Sequence, residues 1–135
     1  MNEILVFGGC GYVGSRLVEK LLDKGFKVTV FDLLIFGNYL SSHENLKVIK
    51  GDIRDIKQIE KEIKTIDTVV HLACISNDPS FELNPKLGKE INFDCFEPLV
   101  KLSKNSGIEH FIYASSSSVY GIKDHDNVNE DSSLE

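Results

Sequence analysis

The sequence predicts an α/β fold, a doubly wound parallel sheet with the strand order 3-2-1-4-5, and three observations support this prediction. Short apolar and β-branched runs alternate with segments whose apolar residues recur at helical spacing over the 135 residues. The first strand–helix–strand unit requires a right-handed crossover, which makes its strands parallel. No repeat and no low-complexity linker interrupts the alternation, so we expect one domain.

The N-terminal unit is the clearest part of this pattern. Residues 4–7 are a continuous apolar run and residues 27–32 are β-branched and aromatic, so both predict strands. Gly25 marks the end of the helix between them. That helix has its apolar residues at helical spacing, namely Val13, Leu17, Val18, Leu21 and Leu22.

The middle of the chain continues the alternation. Residues 33–45 form an irregular connection, and residues 46–50 predict a third strand. Asp55 is placed to cap a helix that carries Ile56, Ile59 and Ile63 on one face. Residues 67–72 predict a fourth strand, within which His71 is interpreted as a core histidine with its hydrogen bonds satisfied.

The fourth strand leads into a predicted loop over residues 73–85. Asn77 and Asp78 lie in this loop and are interpreted as turn formers rather than as ligands. Pro85 suits the first turn of a helix.

An apolar stripe then predicts one long helix from residue 87 to residue 106. Pro98 falls within it, so we expect either a kink or an altered helix start. Gly107 ends the helix, and residues 111–114 predict the fifth strand.

Composition limits the classes of partner. With 41% hydrophobic and 27% charged residues, the chain has the makeup of a soluble globular domain that can bury a core. The net charge of −6 and the lack of a Lys/Arg cluster argue against nucleic acid. No apolar run is long enough to cross a membrane, so no membrane partner is expected.

Cysteine usage and the N-terminus indicate the compartment. Cys10, Cys74 and Cys95 are an odd set without CxxC spacing, which favours a reducing environment over a disulfide or a metal site. No basic and apolar leader precedes the first strand, so we expect a cytoplasmic protein.

A glycine cluster between the first strand and the first helix is the strongest functional signal. It fits two registers, Gly9-x-Gly11-x-x-Gly14 and Gly8-x-x-Gly11-x-x-Gly14. Glycines at this place let backbone N–H groups approach a pyrophosphate at a helix N-terminus. Because the motif stands between a strand and an amphipathic helix, it predicts a dinucleotide site rather than a plain connecting turn.

An acidic residue at the end of the second strand indicates which dinucleotide. The carboxylate of Asp32 can accept hydrogen bonds from ribose hydroxyls and repels a 2′-phosphate. Residues 33–38 contain no Arg or Lys that would bind such a phosphate. The pattern favours NAD over NADP, with a turn-capping role for Asp32 as the alternative.

Two further strand ends supply candidate contacts. After the third strand, Asp52 could reach an adenine amino group while Ile53 packs on the ring, although a helix-capping turn explains Asp52 equally well. The fourth strand closes with small residues that leave room for a nicotinamide ribose, in the sequence Leu72-Ala73-Cys74.

Four serines, Ser115 to Ser118, follow the fifth strand, where ligands bind in parallel sheets. A hydroxyl there could donate to a substrate oxygen, and a polar loop that satisfies its own backbone is the alternative. A serine hydrolase is excluded as the main interpretation because no Gly-x-Ser-x-Gly elbow is present.

Together these segments resemble the extended short-chain dehydrogenase/reductase family, the NAD-dependent epimerases and dehydratases of nucleotide sugars, which have a Rossmann fold. The resemblance covers essentially the whole chain. The matching segments are residues 8–14, Asp32, 51–55, 71–73, 91–92 and 113–121.

The resemblance implies a role for each matched position. Gly8, Gly11 and Gly14 would form the dinucleotide loop, with Tyr12 and Val13 at the pyrophosphate. Asp32 would hold the adenosine ribose, and Asp52 and Ile53 would border the adenine. Leu72, Ala73 and Asn92 would face the other half of the cofactor. Ser116 would match the catalytic serine, or Ser115 or Ser117 if the register slips.

Members of this family oxidise a sugar hydroxyl, and NAD accepts the hydride. A tyrosine takes the hydroxyl proton, and a lysine lowers the pKa of that tyrosine. The serine supports the tyrosine and the sugar oxygen with hydrogen bonds. No Tyr-x-x-x-Lys pair follows Ser118. We therefore expect residues 1–135 to be the incomplete N-terminal, NAD-binding portion of such an enzyme, inactive alone. The predicted helix 87–106 would serve a possible homodimer. The alternatives are a non-catalytic dinucleotide sensor and a reductase of a non-sugar carbonyl.

Overall fold

The computed structural model describes residues 3–123 and 127–134 and contains a five-stranded, all-parallel sheet. The strand order is β3-β2-β1-β4-β5, as predicted. The strands are β1 (Glu3–Phe7), β2 (Lys27–Asp32), β3 (Leu46–Lys50), β4 (Thr68–His71) and β5 (His110–Tyr113). Met1, Asn2, residues 124–126 and Glu135 lie outside the described residues, so the ends of the predicted domain are not described.

Helices cover both faces of the sheet. They are α1 (Tyr12–Asp23), α2 (Ile56–Glu62), α3 (Asp78–Leu83), α4 (Pro85–Lys89), a π-helical turn (Glu90–Asp94), α5 (Phe96–Asn105) and a 3₁₀ turn (Ser117–Tyr120). The predicted cap of α2 is confirmed, because the Asp55 side chain accepts a hydrogen bond from the backbone N–H of Gln58. Among the described residues no helix is long and apolar enough to cross a bilayer.

The side chains of β1 alternate between two apolar cores. Leu5 and Phe7 join one cluster with residues of α2 and α5, whereas Ile4 and Val6 join another with residues of α1. A parallel strand buried on both faces has this continuous apolar character. The sheet is thus doubly wound, and its central strands hold their carboxyl ends at one edge of the domain.

The predicted loop over residues 73–85 is wrong in part, because α3 forms within it. The Asn77 side chain accepts a hydrogen bond from the backbone N–H of Ser80 and so caps α3. Pro79 occupies the first turn, where its missing N–H costs no intrahelical bond. Residues that favour turns also favour helix N-termini, which explains the error.

The single long helix predicted from 87 to 106 is also wrong. The segment divides into α4, the π turn and α5, with the backbone N–H of Cys95 bonded to the Glu90 carbonyl at 3.2 Å. Pro98 lies in the first turn of α5, so the altered start expected from that proline is the correct alternative. The interruption brings the π turn to the same end of the sheet as the strand ends.

Candidate functional site

A cavity of about 320 Å³ opens at the carboxyl ends of β1, β2, β3 and β4. It lies where the strand order reverses between β1 and β4, the position at which open parallel sheets bind ligands. Many of the sequence-predicted site residues line it together: Gly8, Gly11, Asp32, Asp52, Ile53, Leu72, Ala73 and Cys74.

Gly8 begins the loop that follows β1, and its conformation requires glycine. Its φ of 79° is left-handed, and an added Cβ would lie 2.8 Å from the backbone nitrogen of Ala73. Its own N–H donates to the Phe31 carbonyl at 3.0 Å. The loop therefore passes close over the ends of β2 and β4, which leaves its backbone at the floor of the cavity.

Helix α1 starts at this loop with an open N-terminus. Gly11 is the N-cap and contributes no side-chain hydrogen bond, and no acidic residue stands in the first turn. The side chains of Tyr12 and Val13 are exposed and do not line the cavity. A Cβ on Gly14 would overlap the Gly8 carbonyl oxygen, so this glycine lets α1 pack against the loop. The uncapped helix start favours an anion.

Asp32, at the end of β2, uses its carboxylate to hold two backbone segments. Oδ2 accepts the N–H of Cys10 at 3.0 Å, and Oδ1 accepts the N–H of Leu34 at 2.8 Å. Each carboxylate oxygen has a second acceptor position. Asp32 therefore fixes the glycine loop and retains acceptor capacity toward the cavity. Burial, together with the nearby Asp32 charge, raises the pKa of the Cys10 thiol to about 11.

Asp52 does not cap α2, because Asp55 has that role. Its carboxylate instead pairs with Arg54, whose Nη2 lies 2.6 Å from Oδ2 and whose Nε lies 3.0 Å from Oδ1. This hydrogen-bonded guanidinium lowers the pKa of Asp52, so the carboxylate is ionised at neutral pH. Beside it Ile53 is buried and forms part of the cavity wall.

The segment after β4 forms the opposite wall with Leu72, Ala73 and Cys74. Asn92 does not line the cavity. Its Oδ1 accepts the N–H of Ile75 at 2.8 Å, and its Nδ2 donates to the Ile75 carbonyl at 2.9 Å. Asn92 thus fixes the wall segment from behind, and a direct contact with a cofactor stays a prediction.

His71 is buried as predicted, with only 3% of its surface exposed, but the expectation of satisfied hydrogen bonds is wrong. Among the described residues its Nδ1 has no partner. Its ring stacks on Phe96 at 6.1 Å and meets Phe7, Phe111 and Tyr113 at their edges or at a tilt. Burial lowers the pKa of His71, which keeps the ring neutral in the folded chain.

Ser116 lies beyond β5 and outside the cavity lining. It is exposed, and its Oγ accepts the backbone N–H of Ser118 at 3.1 Å, which caps the 3₁₀ turn. The hydroxyl proton is not used by that bond. Ser115 is also exposed, and the side chain of Ser117 lies outside what the structure describes.

Sequence reasoning did not identify several residues of the site. Arg54 and Glu90 are joined by an ion pair that the sequence does not predict. The pair Ile35-Phe36 lines the cavity although Phe36 is 83% exposed. The run of four apolar residues at positions 33–36 is the signal that indicates this pair. The pairing of Arg54 with Glu90 spans 36 positions and has no local signal.

The chemical groups that line the cavity fit a dinucleotide. An open helix N-terminus suits a pyrophosphate, and the carboxylate of Asp32 suits ribose hydroxyls. Ile53 and Asp52, adjacent in the cavity lining, offer an apolar surface and a hydrogen-bond acceptor that suit a base with an amino group. A Cβ on Gly8 would collide with the backbone of Ala73, so only glycine lets the loop lie this close to the segment after β4.

A family model described as the NAD dependent epimerase/dehydratase family matches residues 4–135. A UDP-glucose 4-epimerase of Streptococcus mutans serotype c is 30% identical over 125 residues, which are 90% of this chain and 38% of the relative. A 3 beta-hydroxysteroid dehydrogenase/Delta 5-->4-isomerase of Mycobacterium tuberculosis is 32% identical over 123 residues, 88% of this chain and 33% of the relative.

Among solved structures, the UDP-glucose 4-epimerase of Thermus thermophilus in complex with NAD superposes with a TM-score of 0.87 at 26% identity. The match covers 98% of this chain and 44% of that one. The chain therefore spans less than half the length of the relatives that it matches.

Proposed function

The chain belongs to the NAD-dependent epimerase/dehydratase family, whose cofactor is NAD, and from this premise we propose that it is the NAD-binding part of an enzyme acting on a nucleotide-linked sugar. The cavity at the carboxyl ends of β1 to β4 is the observation that carries the proposal. When bound, NAD supplies the acceptor for a hydride from a sugar carbon. The final reaction would be an epimerisation or a dehydration.

The adenosine half is assigned to the side of the cavity formed by β2 and β3. The N–H groups at the start of α1 would hold the pyrophosphate. Asp32 would accept hydrogen bonds from the ribose, and its charge would disfavour a 2′-phosphate. Ile53 would pack against the adenine, whose amino group would donate to Asp52.

The nicotinamide half is assigned to the side of the cavity formed by the segment after β4, and Ser116 lies beyond this side, after β5. Leu72, Ala73 and Cys74 would contact it from the strand end, and Asn92 would keep their segment in place through Ile75. Ser116 would act as the catalytic serine, since its bond to the N–H of Ser118 leaves the hydroxyl proton to donate to a sugar oxygen. Its role would be to orient the substrate.

The acid–base pair of the reaction would come from outside these residues. The family uses a Tyr-x-x-x-Lys pair, and no such pair occurs in the sequence. The chain covers 38% of the epimerase relative, so substrate selection and the reaction outcome would depend on the remainder of such an enzyme. We therefore propose that residues 1–135 bind NAD without turning over a sugar.

Titration calorimetry of residues 1–135 with NAD and NADP tests the cofactor site. We expect saturable binding of one NAD per chain and weaker binding of NADP. A second assay incubates the NAD-loaded chain with UDP-glucose and follows UDP-galactose. Formation of the epimer would contradict the proposed need for an added acid–base pair, and absence of NAD binding would contradict the site itself.

The steroid dehydrogenase relative supports a second candidate, a dehydrogenase or reductase of a non-sugar substrate. Both candidates use the same cofactor site, so they differ only in what binds beside Ser116. An enzyme that contains these residues together with an acid–base pair, assayed with UDP-glucose and with a 3β-hydroxysteroid, discriminates the candidates by the substrate that it oxidises.

A homodimer through the α4 to α5 segment also stays a prediction, which light scattering of the purified chain tests.

A further inference from the structure

A charged network extends from the cavity wall to the π turn. Arg54 is its centre, with Nη2 at 2.6 Å from Oδ2 of Asp52 and Nη1 at 2.8 Å from Oε2 of Glu90. Asp52 follows β3, whereas Glu90 opens the π turn. The guanidinium therefore joins two parts of the chain that are separated by 36 positions.

The Asp52 carboxylate has little rotational freedom in this network. Oδ1 accepts the backbone N–H of Arg54 at 2.9 Å, and Nε of the same residue is shared between Oδ1 and Oδ2 at 3.0 and 3.1 Å. A two-point guanidinium–carboxylate pair fixes the plane of the carboxylate. The three N–H groups of Arg54 fill three of the four acceptor positions of the carboxylate, so one position is left for a further donor.

The π turn connects this network to the opposite wall. Asn92, two positions after Glu90, makes both hydrogen bonds to Ile75 in the segment that follows β4. Ile91 between them lines the cavity. The turn is thus anchored to both walls at once, and an unbroken α-helix would present these side chains at different angles.

We propose that Arg54 and Glu90 are positioning residues that aim the Asp52 carboxylate at the exocyclic amino group of a bound adenine, so that the site selects a 6-aminopurine dinucleotide. The inference rests on the proposed NAD-binding function. It goes beyond that function because it assigns the selectivity for the purine base to the network of Asp52, Arg54 and Glu90. Arg54 orients Asp52, and Glu90 prevents the guanidinium from rotating toward solvent. Neither residue contacts the reacting carbon.

The test compares NAD with nicotinamide hypoxanthine dinucleotide, which carries a carbonyl oxygen in place of the adenine amino group. Dissociation constants for both are measured by calorimetry on residues 1–135 and on the variants Arg54→Met, Arg54→Lys and Glu90→Gln. Glu97→Gln is the matched control, because Glu97 pairs with Lys101 on the exposed face of α5. Thermal melts establish that each variant is folded at the titration temperature.

We expect the wild-type chain to bind NAD about tenfold more tightly than the hypoxanthine analogue, as a charged hydrogen bond allows. Arg54→Met should reduce this ratio to about twofold or less, with Glu90→Gln and Arg54→Lys between the two values. Glu97→Gln should keep the wild-type ratio. Because Glu90→Gln keeps the shape of the side chain, it provides the ratio even where Arg54→Met does not fold.

Three results would overturn the inference, and they are distinguishable. An unchanged ratio with both affinities lowered would make Arg54 a structural residue only. Equal binding of the two dinucleotides by the wild-type chain would remove base selectivity while leaving the NAD site intact. Failure of the wild-type chain to bind either dinucleotide would overturn the proposed function, and the inference with it.

Discussion

The carboxylate of Asp32 accepts the backbone N–H of Cys10 at 3.0 Å, which ties the end of β2 to the glycine loop that follows β1. The same side chain holds Leu34 at the start of the next connection. One residue therefore shapes both backbone segments at the side of the cavity formed by the end of β2. A ligand that binds Asp32 meets a carboxylate already held in place, which lowers the ordering cost of binding.

Asp32→Asn should weaken NAD binding by tenfold or more. The amide keeps the size of the side chain but replaces a charged acceptor with a neutral oxygen and a donor, and hydrogen bonds to charged groups contribute about 1.5–3 kcal/mol. The preference for NAD over NADP should narrow, since the repulsive charge is removed. Calorimetry with both dinucleotides measures this. Asp23→Asn at the far end of α1 is the control, and an equal loss in both variants would contradict the assignment.

Gly14→Ala should destabilise the fold by about 1–3 kcal/mol, as overpacking of a tight contact does. The added Cβ would overlap the Gly8 carbonyl oxygen, which is backbone and cannot move without displacing the glycine loop. NAD affinity should fall as well. Thermal and urea unfolding measure the stability, with the exposed position Arg16→Ala on the same helix as control. A variant as stable as that control would show that α1 can shift at no cost.

The sheet was predictable because its signals are local, whereas the helices over residues 73–106 were not. Strands β2 and β3 have the predicted bounds, since β-branched runs bordered by turn residues leave little alternative. The sequence predicts a turn at Asn77, whereas the structure shows its side chain capping α3. The side-chain oxygen of Asn accepts a backbone N–H in a turn and at a helix start alike. Only the residues that follow determine which of the two forms.

The site was predictable where the backbone defines it and not where distant side chains do. Gly8 and Asp32 lie at strand ends that any parallel sheet brings together, so the sequence was sufficient. The ion pair between Arg54 and Glu90 depends on the π turn. The sequence does not reveal this turn, because its apolar residues continue the spacing of one long helix. Nδ1 of His71 has no partner in the described part of the chain because aromatic rings surround it, and tertiary packing alone determines that.

Asn92→Ala should lower stability by about 1–3 kcal/mol and loosen the wall after β4. The change removes both hydrogen bonds to Ile75 and leaves a partly buried backbone N–H and carbonyl without their partner. Amide hydrogen exchange at residues 73–76 should accelerate, while exchange in β2 should not. Asn105→Ala, at the exposed end of α5, is the control. Unchanged protection at residues 73–76 would contradict a positioning role for Asn92.

Stability should depend on pH through His71. Burial lowers the folded-state pKa of His71 below its ordinary value of about 6.5, so the unfolded chain binds the proton more readily. The contribution of the neutral ring to the stability of the fold is fully present above about pH 6.5. It is lost as the pH falls through the lower, folded-state pKa. His71→Phe should flatten the pH dependence of stability below about pH 6.5. Urea unfolding at several pH values measures the slope of the free energy of unfolding against pH. The control is His110→Asn at an exposed position, which should keep the wild-type slope. If His71→Phe keeps it too, carboxylates rather than this ring control the response.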